Sequence, residues 1–164
     1  MKKLTFWMTF LTGLGACAWA AVERPLLGYV LDARGALRPV EGIAGAFVVG
    51  ATDGEASAYV PDVALTLEHR EAGIYVLDAD GGVAGILPPE ARCALLLPRG
   101  VVYASSEEVV MGDLKLPLAG VRALRAVSAE FVQVSTDDGE YLLRIEHGRE
   151  ALFRLPAIPV EVVE

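Results

Sequence analysis

The stretch Tyr29–Gly54, YVLDARGALRPVEGIAGAFVVGATDG, decides the fold class of this chain. It consists of short apolar runs separated by turn residues, in the order strand, glycine turn, strand, loop, strand and Asp-Gly turn. Glycine adopts the positive φ angles that tight hairpin turns require, so these turns indicate antiparallel strands. The stretch therefore predicts several short strands joined by tight turns.

The same alternation of apolar runs and turn residues continues along the chain, with a spacing of about ten residues between strands. No apolar pattern keeps the helical period beyond one or two turns. The fold class predicted is therefore all-β. The predicted strands are Leu26–Leu31, Ala36–Val40, Ala46–Val49, Val63–Glu68, Ile74–Leu77, Val83–Leu87, Cys93–Leu97, Val101–Ala104, Val109–Met111, Val121–Val127, Phe131–Ser135, Tyr141–Ile145 and Ala151–Leu155.

Internal repeats divide this β-structure into similar units, because three different segments recur in chain order. The matched pairs are Tyr29–Ala33 with Tyr75–Ala79, Phe47–Gly54 with Phe131–Gly139, and Leu67–Ala72 with Ile145–Ala151. They predict three units, at about 29–74, 75–112 and 113–156. Each unit holds about four strands, which is the content of one propeller blade with its usual repeat of ~40–50 residues.

Two parts of the chain resemble a known architecture. The segments Val121–Leu124, Phe131–Gly139 and Tyr141–Ile145 resemble the core of a WD-like or related β-propeller blade. The opening Gly28–Ala46, GYVLDARGALRPVEGIAGA, resembles the start of secreted bacterial β-propeller-type repeat proteins. The resemblance implies antiparallel blade-like repeats, although the chain has no Gly-His or Trp-Asp signature.

Three blade-like units do not close a normal propeller, which uses ~4–8 blades. An open set of blades leaves apolar flanks and strand edges that need cover. Either the chain assembles with itself or with a partner, or the strands curl into a compact sandwich or barrel. The sequence leaves both alternatives open.

Residues 1–20 predict a secretory signal peptide. Lys2 and Lys3 precede an apolar run, and Ala18-Trp19-Ala20 offers the small residues that a signal peptidase recognises. The run is shorter than the ~20 residues of a membrane span. A second interpretation is a lipobox at Leu14–Cys17, in which Cys17 would carry a lipid anchor. Residues 21–164 are then a single exported all-β repeat domain.

The exported part is strongly acidic. All 22 acids follow Ala20, and without Lys2 and Lys3 twelve of the 14 bases remain, which gives a net charge of −10 (12 − 22). No basic stripe is present, so the composition argues against nucleic acid and against an anionic membrane surface as partners.

Candidate catalytic residues are few. His69 and His147 are the only histidines, and each is predicted in a polar turn next to Glu68 or Glu146. Neighbours in a strand point to opposite faces, so neither pair is expected to converge on a substrate.

Metal, thiol and nucleophile chemistry have little support in the sequence. Asp78–Gly81 begins like a calcium loop, but the twelfth position, where such a loop needs Glu, is Pro89. Cys93 opens an apolar run and is expected to be a structural thiol. No nucleophile elbow, phosphate loop or dinucleotide fingerprint occurs. The sequence thus indicates no catalytic residue, no metal site and no cofactor.

Two functional hypotheses follow. The first is an exported, non-enzymatic structural or protein-interaction module that binds a protein partner or forms a homo-oligomer. The second is a periplasmic enzyme or small-ligand-binding protein that uses acidic turn residues on one rim. Those residues are Asp53, Asp78, Asp80, Asp137 and Asp138.

Overall fold

The computed structural model describes residues 24–43 and 45–156, which form fourteen β-strands and no helix. The predicted signal peptide and Cys17 lie outside these described residues. The strands are β1 (Leu26–Leu31), β2 (Leu37–Ile43), β3 (Ala46–Val49), β4 (Thr66–Arg70), β5 (Gly73–Leu77), β6 (Val83–Ile86), β7 (Cys93–Leu97), β8 (Gly100–Ala104), β9 (Glu108–Met111), β10 (Leu114–Pro117), β11 (Val121–Ala126), β12 (Phe131–Thr136), β13 (Glu140–Arg144) and β14 (Ala151–Arg154).

The strands form four antiparallel sheets, each a meander in which consecutive strands are neighbours. Sheet A contains β1–β3, sheet B contains β4–β6, sheet C contains β7–β10 and sheet D contains β11–β14. None of the four closes into a barrel. The predicted all-β, blade-like class is confirmed, and a barrel is not what these strands form.

The structure differs from the sequence-based prediction in two details. Strand β10, Leu114–Pro117, was not predicted, because its four residues include a lysine and a proline. It is the outer strand of sheet C, where a proline does not interrupt the ladder. The three predicted units also do not coincide with the four sheets, since the boundary between 29–74 and 75–112 falls inside β5.

The core lies on both faces of sheet D. One cluster joins sheets C and D and includes Val102, Val132, Val134 and Leu143. A second cluster lies on the opposite side of sheet D and joins it to sheet A. Its buried members are Val30, Val40, Val127, Phe131, Leu142 and Leu155. Sheet D is therefore the central layer of the molecule.

The sheets are arranged in the spatial order A, D, C, B. Sheet A contacts sheet D through β1 and β12, sheet D contacts sheet C through β11 and β7, and sheet C contacts sheet B through β7 and β4. Among the described strands, no strand of sheet A makes a comparable contact with a strand of sheet B. The series is open, with sheets A and B at its two ends.

Candidate interaction faces and the polar cleft

The outward face of sheet B is apolar on β5 and β6 and polar on β4, where Thr66 lies opposite Leu77 and Glu68 lies opposite Tyr75. Ile74 and Val76 are buried on one face of β5, so Tyr75 and Leu77 point to the other. Tyr75 pairs with Ile86 and Leu77 pairs with Val83, which places all four side chains on that second face. Val83 is 53% exposed and Ile86 is 59% exposed. We call these four residues the sheet B face.

Sheet A has a similar but smaller outward face. Phe47 and Val49 of β3 pack inward against the second core cluster, so Val48 between them points outward. Val48 pairs with Glu41 and is 39% exposed, and Ile43 at the end of β2 is 67% exposed.

Exposed large hydrophobic side chains are confined to the two end sheets and the segment that joins them. Within the described residues they are Leu26, Ile43, Val48, Val60, Leu65, Val83 and Ile86. Sheets C and D contribute none of them. Neighbouring exposed apolar side chains, such as those of the sheet B face, are a common mark of a binding surface, whereas single exposed apolar residues are ordinary.

A polar cleft of about 430 Å³ opens between sheet D and the end of β1. Its walls come from the β1–β2 turn and from β11, β12 and β13. The lining residues are Leu31, Asp32, Ala33, Arg122, Ala123, Arg125, Gln133, Ser135 and Glu140.

Gln133 organises the cleft through its side-chain amide. Its Oε1 accepts a hydrogen bond from the Leu31 backbone N–H at 2.9 Å, and its Nε2 donates to the Leu31 carbonyl at 2.8 Å. The same Nε2 donates to Oε2 of Glu140 at 2.8 Å, which also accepts from Ser135. Gln133 is buried, and these bonds satisfy an amide inside the buried run Phe131–Val134.

Two arginines line the cleft, with different partners. Arg122 donates from Nη2 to the Thr136 carbonyl at 2.5 Å and pairs with Asp137 at 3.3 Å. In Arg125, the buried Nη1 has no hydrogen-bond partner within the described part of the chain, and burial lowers the pKa of its guanidinium. Burying a cationic N–H without an acceptor is costly, so Nη1 of Arg125 is a position where an incoming acceptor would be favourable.

A buried ion pair between Asp32 and Arg38 links the two strands of the β1–β2 hairpin beside the cleft. Nε of Arg38 lies 2.8 Å from Oδ2 of Asp32, and each side chain is only 6% exposed. The hydrogen bond from Arg38, together with backbone N–H donors from Ala36 and Arg34, holds the pKa of Asp32 below its usual value despite the burial. This pair fixes the conformation of the β1–β2 turn.

The two histidines do not share a site. His69 lies within β4 and is exposed, rather than in the turn where it was predicted. His147 is fully exposed in the turn before β14, with Nδ1 3.5 Å from Glu150. Glu68 pairs with Arg70 at 2.5 Å, and Glu146 pairs with Arg144, so neither glutamate faces its neighbouring histidine.

The five aspartates of the predicted acidic rim lie in three different connections, after β3, after β5 and after β12. Asp53 accepts a hydrogen bond from the Tyr29 hydroxyl at 3.4 Å. Asp138 accepts from the hydroxyls of Thr136 and Tyr141, which lowers its pKa. Asp53, Asp78, Asp137 and Asp138 thus bond to groups of their own turn or of their own sheet.

The Asp78–Gly81 turn is accounted for by hairpin geometry. Oδ1 of Asp78 accepts backbone hydrogen bonds from Asp80 at 3.0 Å and from Gly82 at 2.7 Å. Residues 24–43 and 45–156 contain no group of three or more His, Cys, Asp or Glu side chains placed to hold a metal ion.

The environments of Cys93, Tyr75 and Tyr29 are consistent with structural roles for these three residues. Cys93 is a half-buried free thiol, and burial raises its pKa, which disfavours the reactive thiolate. Tyr75 lies beneath the Arg70 guanidinium, 4.5 Å from ring centre to Cζ. Tyr29 is half-buried, and burial together with Asp53 raises its pKa.

Sequence reasoning did not find the polar cleft. One signal was available, because Gln133 is the only glutamine in the chain and it interrupts the apolar run Phe131–Val134. A lone amide at such a position indicates a specific hydrogen-bonding role. The partner, Leu31, is 102 residues away in sequence, and only the packing of sheet A on sheet D brings the two together.

Comparison of the chain with protein-family models, with curated proteins and with solved structures finds no match. The described residues also include no helix with the length and apolar character that crossing a membrane would require.

Proposed function

We propose that this chain is an exported, non-enzymatic structural or protein-interaction module that binds through the apolar faces of its end sheets. The observation that carries the proposal is the confinement of exposed large hydrophobic residues to sheets A and B and the segment between them. Burying such surface contributes about 25 cal/mol per Å², so the uncovered faces favour association.

The arrangement of the sheets supports a propeller-like interpretation of this module. Each sheet is a short antiparallel meander, and consecutive sheets B, C and D pack side by side, as blades do. Sheet A packs on sheet D, which leaves the position between A and B open. An additional blade-like unit from a second copy, or from another protein, would cover both end faces at once.

The second hypothesis, a periplasmic enzyme or ligand-binding protein with an acidic rim, has less support. Its five aspartates lie in separate turns, and the histidines lie on strands or turns of different sheets. The polar cleft, where Nη1 of Arg125 could receive an acceptor, is lined by none of these five aspartates.

Export, and a lipid anchor at Cys17 as its alternative form, are proposed from the residues before Arg24 alone. Fractionation of the producing cells and the mass of the mature chain test them. A chain beginning near Ala21 corresponds to signal cleavage. A chain that begins at Cys17 with added lipid mass corresponds to the anchored form, and an uncleaved chain in the cytoplasm contradicts export.

Sedimentation analysis across a range of concentrations tests the association of two copies. We expect an oligomer that dissociates when lysines are placed on the sheet B face, in the double variant V83K/I86K. The matched control, S106K/A129K, adds the same charge at exposed turns of sheets C and D and should leave the oligomer unchanged. A wild-type monomer at every concentration would exclude a second copy as the partner.

A further inference from the structure

The polar cleft holds one cation and one anion with which no described residue forms an ion pair. The charged side chains in its lining are Asp32, Arg122, Arg125 and Glu140. Asp32 is paired with Arg38, and Arg122 is paired with Asp137. Arg125 and Glu140 belong to none of the ion pairs formed among the residues that the structure describes. The cleft therefore keeps two opposite charges that this part of the chain does not neutralise.

The register of the strands explains why these two charges do not pair with each other. Arg125 lies opposite Gln133 in the β11–β12 ladder, and Glu140 lies opposite Ser135 in the β12–β13 ladder. Cross-strand partners share one face of a sheet, and the bond from Gln133 to Leu31 shows that this face is the one toward sheet A. The two charged residues stand on strands about 10 Å apart, which is twice the spacing of neighbouring strands.

Both charged groups are partly withdrawn from water, which strengthens the attraction of an opposite charge. Arg125 and Glu140 are each half-buried. Burial lowers the pKa of the Arg125 guanidinium, and no carboxylate among the described residues lies close enough to offset that effect. Oε2 of Glu140 accepts hydrogen bonds from Gln133 and Ser135, which hold the carboxylate in place. A carboxylate offers about four lone-pair sites, so this group can accept further hydrogen bonds.

We infer that the cleft binds a small zwitterion, a molecule with one carboxylate and one ammonium group, such as an amino acid. The ligand's carboxylate accepts hydrogen bonds from the guanidinium of Arg125, and its ammonium group donates to the carboxylate of Glu140. Turning Nη1 of Arg125 toward the ligand gives this atom the acceptor that it lacks among the described residues. The carbon skeleton lies against Leu31, Ala33 and Ala123, which are the apolar part of the lining.

The size and charge of the cleft favour a zwitterion over a simple ion. Its volume of about 430 Å³ lies in the range of small-molecule sites, ~300–1,000 Å³. A simple anion leaves the charge of Glu140 unpaired beside it, and a simple cation leaves that of Arg125 unpaired. Only a ligand with both groups neutralises both side chains. This site is separate from the outward apolar faces, so its success or failure is independent of association through the end sheets.

The chain carries its own reporter for this cleft. Gln133 is the only glutamine and the sequence has no asparagine, so the untagged ¹⁵N-labelled protein gives one pair of side-chain amide signals in an NMR spectrum. The probes are the common L-amino acids, β-alanine and γ-aminobutyrate. We expect at least one of them to shift these signals saturably, with a dissociation constant below about 1 mM. For that probe, the analogues that lack the amine or the carboxylate should bind at least about tenfold more weakly.

Substitutions then assign the two charges. Arg125→Met and Glu140→Met each remove one charge without adding a side-chain amide, and each should weaken binding by about tenfold or more. The matched controls Arg92→Met and Glu90→Met make the same changes at exposed positions between β6 and β7, and should leave binding unchanged. A lack of saturable shifts with every probe, equal binding of the analogues, or equal losses in the control variants would overturn the inference. The comparison among probes uses the wild-type protein, so it decides the question even where a variant does not fold.

Discussion

The two inner sheets and the two end sheets have the same local architecture and differ in how many of their faces are covered. In β12 of sheet D the first four residues, Phe131–Val134, are all buried, because sheets lie on both sides. In β5 of sheet B burial alternates along the strand, with Ile74 and Val76 inside and Tyr75 and Leu77 partly exposed. Strands covered on both faces have continuous apolar sequences, whereas strands covered on one face alternate.

The inner and end sheets therefore differ in the apolar surface that they leave exposed. The C–D interface contains a continuous core and contributes to stability. Within residues 24–43 and 45–156, the outward faces of sheets A and B retain exposed apolar side chains, which are the surface that we propose for binding. Substitutions in the inner sheets should therefore affect stability, and substitutions on the end faces should affect association.

The largest effect of a substitution on the free energy of unfolding is expected at the interface between sheets C and D. Leu143 is fully buried there, and Leu143→Ala should lower the free energy of unfolding by about 2–5 kcal/mol, because it removes packed methyl groups and leaves a cavity. Ile86→Ala, on the exposed face, should change it by less than about 0.5 kcal/mol. Urea unfolding of both variants measures the difference, and equal losses would contradict the contrast between inner and end sheets.

A smaller loss of stability is expected from a substitution at the interface between sheets A and D. Gly28 has a φ of 142°, and a Cβ at this position would lie 2.4 Å from the Val127 carbonyl oxygen. Gly28→Ala should therefore cost about 1–3 kcal/mol by pushing β1 away from sheet D. Gly85→Ala is the control, since a Cβ there meets no atom within 4 Å. If thermal unfolding shows equal losses, the close approach of the two sheets is not as described.

The ion pair in the β1–β2 turn should make part of the stability of sheet A dependent on pH. Because the pKa of Asp32 is lowered in the folded state, its contribution is complete above the ordinary value of 3.8 and is lost as pH falls below it. The stability difference between wild type and Asp32→Asn should thus shrink between about pH 5 and about pH 2. Asp113→Asn, at an exposed turn, is the control, and a pH-independent difference for Asp32→Asn would contradict the role of the pair.

The smallest effect on stability is expected on the sheet B face. V83K/I86K should change the free energy of unfolding by no more than about 0.5 kcal/mol per residue, because both side chains are already exposed. If urea unfolding instead shows a loss of several kcal/mol, these side chains pack against part of the chain and are not a free binding face.

The sequence predicted the local structure well, because turn residues and short apolar runs determine where strands begin and end. Every strand except β10 overlaps a predicted one, and the Asp32 and Asp78 turns have the same hydrogen bonds, as their repeated sequence implies. The other two repeats are not equivalent in the structure. Phe47–Val49 ends sheet A and is followed by a long connection, whereas Phe131–Ser135 enters a hairpin.

The arrangement of the sheets could not be predicted from sequence. It depends on which faces are covered, and exposed Val83 and buried Val76 have the same residue type. The cleft depends on contacts between residues far apart in sequence, such as Leu31 and Gln133. Local propensity carries no information about such pairs.

Site-specific photo-cross-linking in the producing cell shows whether the end sheets bind protein while the inner sheets do not. A photoreactive residue is placed at Ile86 on sheet B, at Val48 on sheet A, or at the control position Lys115 on sheet C. We predict discrete cross-linked species from positions 86 and 48, to a second copy or to one other protein, and none from position 115. Absence of cross-links from both end sheets, or the same species from all three positions, would rule out specific binding through the end sheets.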